Sequence, residues 1–400
     1  MNAEPEAIKH PNTMKIILYC QHIWGVGHYF RSLEICRALV GDDILMVTGG
    51  ADVDAPLPDH VRSFRLPALM TDRHYSGLFP TEKGQTLTAV KAERRRLLFD
   101  LLEREAPDAF VVELYPFGRR AFRFELEPVL EAIRTGRLHC SLVACSLRDI
   151  LVEKKDPAVY EKRVVASLNN WFDALLVHAD PALITLDRTF SRLSDLTLPV
   201  VYTGFITSRP VAGARGRLRA RLNIGADSVL MVASAGGGQA GIVLLQPLLE
   251  SLAHLDSKRP FFLYVFTGPY MPSDEFELLR GFADSRIVVE RFTPEFMSFL
   301  SAADLSISMG GYNTCMNILA SRVPALVWPY PADREQGLRA RRLEELGAMT
   351  ILAEKDLLPL RLAAVIRRQL DGTRAVVAPV DLEGAVSTAK WLRKNVRRFR

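Results

Sequence analysis

From Met14 onward, short uninterrupted apolar runs alternate with amphipathic stretches, and near residue 228 the alternation starts again. A strand buried on both faces needs a short continuous apolar run, and a covering helix needs apolar residues three to four apart. The pattern therefore predicts an α/β chain with two doubly wound, Rossmann-like domains built on parallel sheets and facing a cleft. Strands are expected at 16–20, 44–48, 109–113, 140–145 and 174–178, then at 228–234, 261–267, 286–290, 304–307 and 324–328. Helices are expected at 28–40, 84–106, 120–134, 240–254, 294–302, 312–320, 334–346 and 356–370. The 400 residues suit two domains of roughly 150–200 each. The extended run 199–210, ended by Gly and Pro and followed by the basic stretch 215–221, marks the junction. Boundaries follow at 1–12 for a disordered tail, 13–203 for the first domain, 204–213 for the linker, 214–380 for the second domain and 381–400 for a C-terminal basic helix.

Composition closes off several classes. Apolar residues make up 48% and charged residues 24%, which excludes wholesale disorder. The net charge is only 51 − 46 = +5, and base-stacking aromatics are not interleaved with the basic runs, so no nucleic-acid partner is expected. Cys20, Cys36, Cys140, Cys145 and Cys315 form no CxxC pair and read as reduced core thiols. No apolar run approaches the ~18 residues of a membrane helix, and the acidic start lacks the apolar segment of a secretory signal. A cytoplasmic location is the expectation. His22, His60, His139, His178 and His254 show no metal-site spacing, so no metal is expected. The basic run 91–96 reads as the solvated face of a long helix, and 71–77, with His74, as a surface or acceptor loop.

The residues that carry chemistry gather where strands end. After the first strand comes Trp24-Gly25-Val26-Gly27-His28-Tyr29-Phe30-Arg31. Glycines allow a sharp turn with open N–H groups, and a helix N-terminus adds partial positive charge, so Gly25, Gly27 and Arg31 suit a phosphate or carboxylate. His28 falls in the first helical turn, where the dipole disfavours imidazolium and keeps a neutral base. A plain tight turn capped by His28 would need the same residues. The full GxGxxG pattern is missing and no acidic residue closes a following strand, which argues against a dinucleotide. Glu113, at the end of its own strand, is a second candidate base, or else an ion-pair partner of Arg119 or Arg120.

The second half offers three more strand ends. In Ser308-Met-Gly-Gly-Tyr-Asn-Thr-Cys-Met-Asn317, residues Gly310, Gly311, Tyr312, Asn313 and Thr314 would face an anion and Asn317 a ribose, unless the segment is only a capped helix. Glu335 and Gln336 open a helix beside it, after a proline-rich loop. Gly236, Gly237, Gly238 and Gln239 form a turn that a ligand could approach closely, or a merely flexible one.

These residues together resemble the MurG-like (family 28) glycosyltransferases of the GT-B fold, most clearly over 235–347. The stretch Val111-Val-Glu-Leu-Tyr-Pro-Phe-Gly-Arg-Arg120, with Phe124-Glu125-Leu126, also resembles bacterial proteins described only as predicted glycosyltransferases. The resemblance implies metal-independent transfer of a sugar, with no cofactor, from a nucleotide-diphosphate donor (UDP-linked before others) to a hydroxyl acceptor. Cell-envelope glycoconjugate or polysaccharide synthesis is the implied setting. The family's glycine turn matches Gly236, Gly237 and Gln239, with Gly238 in place of a serine; its base-holding loop matches Phe292 and Thr293, and its phosphate turn runs from Gly311 to Thr314. Pro294 has no N–H, which limits the base contact to neighbouring amides. Its ribose-binding glutamate is Asn317 here, and its His-Gln pair is Glu335 and Gln336. An amide bonds a hydroxyl less strongly than a carboxylate does. His28 matches the family's N-terminal histidine.

Two other readings fit the same residues: a nucleotide-sugar hydrolase in which His28 activates water, and a nucleotide-sugar-binding module without catalysis. The final eleven residues hold six basic and no acidic ones, with Trp391, Leu392, Val396 and Phe399 broadly on one side. Such a helix either closes the fold across both domains or lies on an anionic membrane at its inner face, where a lipid-linked acceptor would be met.

Overall fold

The computed structural model describes residues 13–22, 27–50, 53, 55–71, 77–151, 156–238, 240–372 and 379–396. The first lobe contains β1 (Lys15–Tyr19), β2 (Asp43–Thr48), β3 (Val61–Arg65), the short antiparallel pair β4 (Leu69–Thr71) and β5 (Leu78–Pro80), β6 (Ala109–Glu113), β7 (Leu142–Arg148), β8 (Ala174–His178) and β9 (Val200–Tyr202). Its helices are α1 (Gly27–Ala38), α2 (Leu87–Glu105), α3 (Arg123–Arg134) and α4 (Pro157–Trp171). The second lobe contains β10 (Val229–Ser234), β11 (Phe261–Phe266), β12 (Ile287–Glu290), β13 (Leu305–Met309), β14 (Ala325–Trp328) and β15 (Thr350–Ile351). Its helices are α5 (Ala214–Arg221), α6 (Ile242–Ser251), α7 (Ser273–Arg280), α8 (Phe296–Ala302), α9 (Tyr312–Ser321), α10 (Arg334–Glu345) and α11 (Pro359–Asp371), and α12 (Gly384–Val396) follows.

All strands of the two large sheets are parallel, in the orders β3-β2-β1-β6-β7-β8-β9 and β12-β11-β10-β13-β14-β15. In each sheet the order reverses once, between β1 and β6 and between β10 and β13. The crossover helices leave those neighbouring strands in opposite directions and open a crevice above their carboxyl ends, which is where ligands bind in open α/β sheets. The central strands β6, β8, β10 and β13 are buried throughout, which is why their sequences read as continuous apolar runs.

The structure bears on three of these expectations. Residues 200–202, within the stretch read as the junction, pair with β8 as the edge strand β9, so the crossing segment begins after Tyr202. The run 91–96 is not wholly a solvated face, because Arg94 is fully buried between Val90 and Leu98 on α2. It donates to Glu125 through Nε (2.7 Å) and Nη2 (2.6 Å), and to Gln21 Oε1 (2.9 Å) and the Pro67 carbonyl (2.6 Å). This one guanidinium pins the loops that follow β1 and β3. Finally, α12 lays Leu392 and Val396 into the core beneath the first lobe, beside α1, and Arg393 pairs with Asp42. The apolar side offered above to a membrane is therefore occupied as far as Val396; Phe399 lies outside the described residues. Among the described residues, no helix is long and apolar enough to cross a membrane.

Candidate active site

At the first switch point, Glu113 ends β6 and His28 sits in the first turn of α1, which follows β1. His28 Nδ1 lies 2.6 Å from Glu113 Oε1. Arg31, one turn further along α1, forms an ion pair with the same oxygen. Glu113 therefore pairs with Arg31, not with Arg119 or Arg120; Arg119 donates instead to the Gln21 carbonyl at 2.7 Å. Burial pushes the Glu113 carboxyl upward, but His28, Arg31 and Arg119 together outweigh it and hold it at about 2. Burial pushes His28 down to about 4, with Arg119 and Arg31 adding to that and Glu113 opposing it. At neutral pH the pair is an ionised carboxylate beside a neutral imidazole. An ionised carboxylate only accepts, so Nδ1 carries the proton and Nε2 presents a bare lone pair, the arrangement of a general base.

At the second switch point, Ala235 to Gly238 follow β10 and Gly310 to Thr314 follow β13. Gly236 has φ +63°, and a Cβ there or on Gly311 would stand 3.9 or 4.0 Å from Thr314 Oγ1, so the three residues adjoin. Gly311 caps α9 with no side-chain hydrogen bond, which leaves the first-turn amides for an anion. Gly236 and Gly237 are exposed, as a ligand cradle requires. Gly238 is not: at φ +99°, a Cβ there would meet the Thr267 carbonyl at 2.5 Å, so this glycine serves packing. Gln239 and Gly25 lie outside the described residues.

The two crevices are one cleft. Asn313 Nδ2 donates to the Gly27 carbonyl at 3.1 Å, joining the first turns of α9 and α1. Phe292 stacks on Phe30 of α1, with centroids 6.0 Å apart and planes 27° apart. The neighbouring Thr293 accepts a bond from the Glu295 amide at 3.2 Å. Several expected ligand contacts turn out to be braces between the lobes. Arg31 is buried under the site instead of lining it. Tyr312 is buried, its hydroxyl donating to the His178 carbonyl (3.1 Å) and accepting from the Ile206 amide (3.1 Å). Glu335 is buried against Arg148 of β7, and burial raises its carboxyl despite that partner. Gln336 folds back onto its own loop, accepting from the Tyr330 amide (3.1 Å) and donating to Asp333 (3.0 Å). Asn317 accepts from Thr207 in the interlobe segment at 2.8 Å. Tyr312 and Glu335 find their partners in the first lobe, Asn317 in the segment between the lobes, Arg31 on a neighbouring strand of its own lobe and Gln336 within its own loop.

Sequence reasoning also passed over Asp149 and Arg339, which form a buried pair between the lobes at 2.7 and 3.0 Å. One signal was available: Glu335 and Arg339 stand four apart on α10, facing the Arg148-Asp149 pair at the end of β7. Among the described residues, no three His, Cys, Asp or Glu converge on a metal site.

Solved structures share this architecture over nearly the whole chain. A UDP-glucosyltransferase from Polygonum tinctorium superposes with TM-score 0.58 at 13% identity, covering 97% of this chain and 93% of its own. MurG of Acinetobacter baumannii does so with TM-score 0.51 at 14% identity, covering 96% and 99%. Two facing lobes, each with its turns at a switch point, define a protein of the GT-B fold. Residues 231–378 match the glycosyltransferase family 28 C-terminal domain, and the second lobe belongs to that family. Among curated proteins, the UDP-N-acetylglucosamine--N-acetylmuramyl-(pentapeptide) pyrophosphoryl-undecaprenol N-acetylglucosamine transferase of Carboxydothermus hydrogenoformans is 29% identical over 44% of this chain and 47% of its own length. An uncharacterized glycosyltransferase of Methanopyrus kandleri is 24% identical over 58% and 64%. The chain thus spans about half of the first of these relatives and under two-thirds of the second.

Proposed function

We propose that this chain transfers a sugar from a nucleotide-diphosphate donor, a UDP-sugar before others, to an acceptor hydroxyl in the cleft. His28 Nε2 takes the hydroxyl proton while the acceptor oxygen bonds to the anomeric carbon. The bond from that carbon to the diphosphate breaks, and the leaving group's charge is received by the amides of α9 and of Gly236 and Gly237. Fixed N–H dipoles at that position stabilise developing charge without reorganising, and a metal is not needed for the step. The observation that carries the reading is the His28–Glu113 pair braced, through Asn313 and Gly27, against the helix whose uncapped amides face the glycine turn.

The relatives' names specify a lipid-linked acceptor, and a lipid-linked or envelope acceptor is our reading for this chain as well. Contact with an anionic membrane would be electrostatic, through exposed Lys390 and Lys394 and whatever follows Val396, since the apolar side of α12 is packed away. The test begins with a thermal-shift panel of UDP-, dTDP- and GDP-sugars, because a bound ligand raises apparent stability. Turnover of the stabilising donor is then followed with and without acceptors. His28→Ala abolishes transfer while UDP still binds. Near-wild-type turnover of that variant removes His28 from the mechanism, and rapid donor loss without any acceptor replaces transfer by hydrolysis.

A further inference from the structure

Successive residues of one helical turn serve opposite lobes. Gly311 and Thr314 adjoin the glycine turn of the second lobe, whereas Tyr312 and Asn313 reach into the first. The Tyr312 ring lies beside two guanidiniums, with Arg31 Cζ 5.5 Å and Arg339 Cζ 5.4 Å from its centroid. Arg339 is neutralised by Asp149. Arg31 is only 3% exposed, pairs with Glu113 Oε1 and stands 2.9 Å from His28 Nδ1. Since Nδ1 holds its proton for Glu113, Arg31 does not bond to it; the two compete for one carboxylate oxygen. Arg31 is held by that ion pair and flanked by the Tyr312 ring, a contact that strengthens when desolvated.

We propose that Arg31 and Tyr312 are positioning residues that lock the His28–Glu113 pair to the first turn of α9, so the helix that receives the diphosphate also aligns the base. This rests on the function proposed above. Both side chains are buried, and the groups they bond to belong to the protein. The charged groups facing His28 are Glu113 from β6, Arg119 from the loop after it and Arg31 from α1 itself. Cys20 and His178 are neutral at pH 7, one pushed up to about 12 and the other down to about 3, burial being the main cause in both. Arg31 thus draws on the oxygen that would favour imidazolium and adds its own repulsion. Without it, Glu113 would serve His28 alone.

The experiment is an NMR titration of His28 in the full chain, which needs no sugar donor. In Arg31→Gln the His28 midpoint rises from about 4 by roughly one unit, and Arg31→Lys restores part of the wild-type value. Tyr312→Leu leaves every charge in place, yet moves the midpoint in the same direction because Arg31 is no longer held. If Arg31→Gln does not fold, Asn313→Ala and Tyr312→Leu carry the test with UDP as the probe. Saturating UDP moves the His28 resonance of the wild type and leaves it still in those two variants. A midpoint in folded Arg31→Gln within roughly a quarter of a unit of wild type overturns the proposal, as does a full UDP-induced shift in Asn313→Ala. Failure of the functional reading looks different: UDP would not bind the wild type, while Arg31→Gln would still move the titration.

Discussion

Replacing Glu113 by Gln keeps the shape of the side chain and removes its charge, so it isolates what the carboxylate does for His28. During transfer the imidazole becomes an imidazolium whose Nδ1 stands 2.6 Å from a carboxylate that is 1% exposed. A hydrogen bond to a charged group contributes about 1.5–3 kcal/mol. Two unit charges about 4 Å apart interact by ~4 kcal/mol at an effective dielectric near ~20. Arg31 already shares the same oxygen, which lowers what is left for His28. About 2–3 kcal/mol of transition-state stabilisation is therefore lost, or roughly 30- to 150-fold in kcat. The assay is kcat at saturating donor and acceptor, with UDP affinity measured separately by calorimetry and expected to be unchanged. The same substitution leaves Arg31 buried without a counter-charge, so urea unfolding should show a loss of about 3 kcal/mol or more. A variant that loses this stability yet keeps kcat within about threefold of wild type would refute the argument. Glu113 would then be a counter-ion for Arg31 and nothing more.

Three other outcomes follow from single features. Gly268→Ala, at φ +91° with a Cβ 2.5 Å from the Gly236 carbonyl, displaces the glycine turn and weakens UDP binding at least tenfold while near-UV dichroism stays native. Arg94→Met abandons the buried Glu125 carboxylate and costs about 3–5 kcal/mol in urea unfolding. Acid weakens the fold early: His28 and His178 are held down by burial at about 4 and about 3, so the unfolded chain binds protons that the folded one refuses. Stability is complete above the ordinary histidine value near 6.5 and falls as pH drops from there through those depressed values, which unfolding midpoints between about pH 7 and 4 would record.

The sequence by itself determined the architecture. Burial on both faces of a parallel sheet leaves only continuous apolar runs, so ten strands could be read from composition over a few residues, and both switch-point turns were marked by glycine. The strands β3, β4, β5, β9 and β15 escaped because they are short or only partly buried, whereas the edge strand β12 keeps an apolar run and was legible. His28, Glu113 and the turn from Gly311 to Thr314 were legible for the same local reason: strand ends and helix starts fix where they point. Tertiary structure alone decided which neighbours each polar side chain met. Arg31, Tyr312, Glu335 and Asn317 stand in the chain among residues whose pattern suggests a ligand, yet their partners Glu113, His178, Arg148 and Thr207 lie far away in sequence. A buried polar group must be satisfied by whatever the fold brings alongside it, and that choice is made between elements far apart in the chain, within one lobe or across the two, where no local pattern reaches.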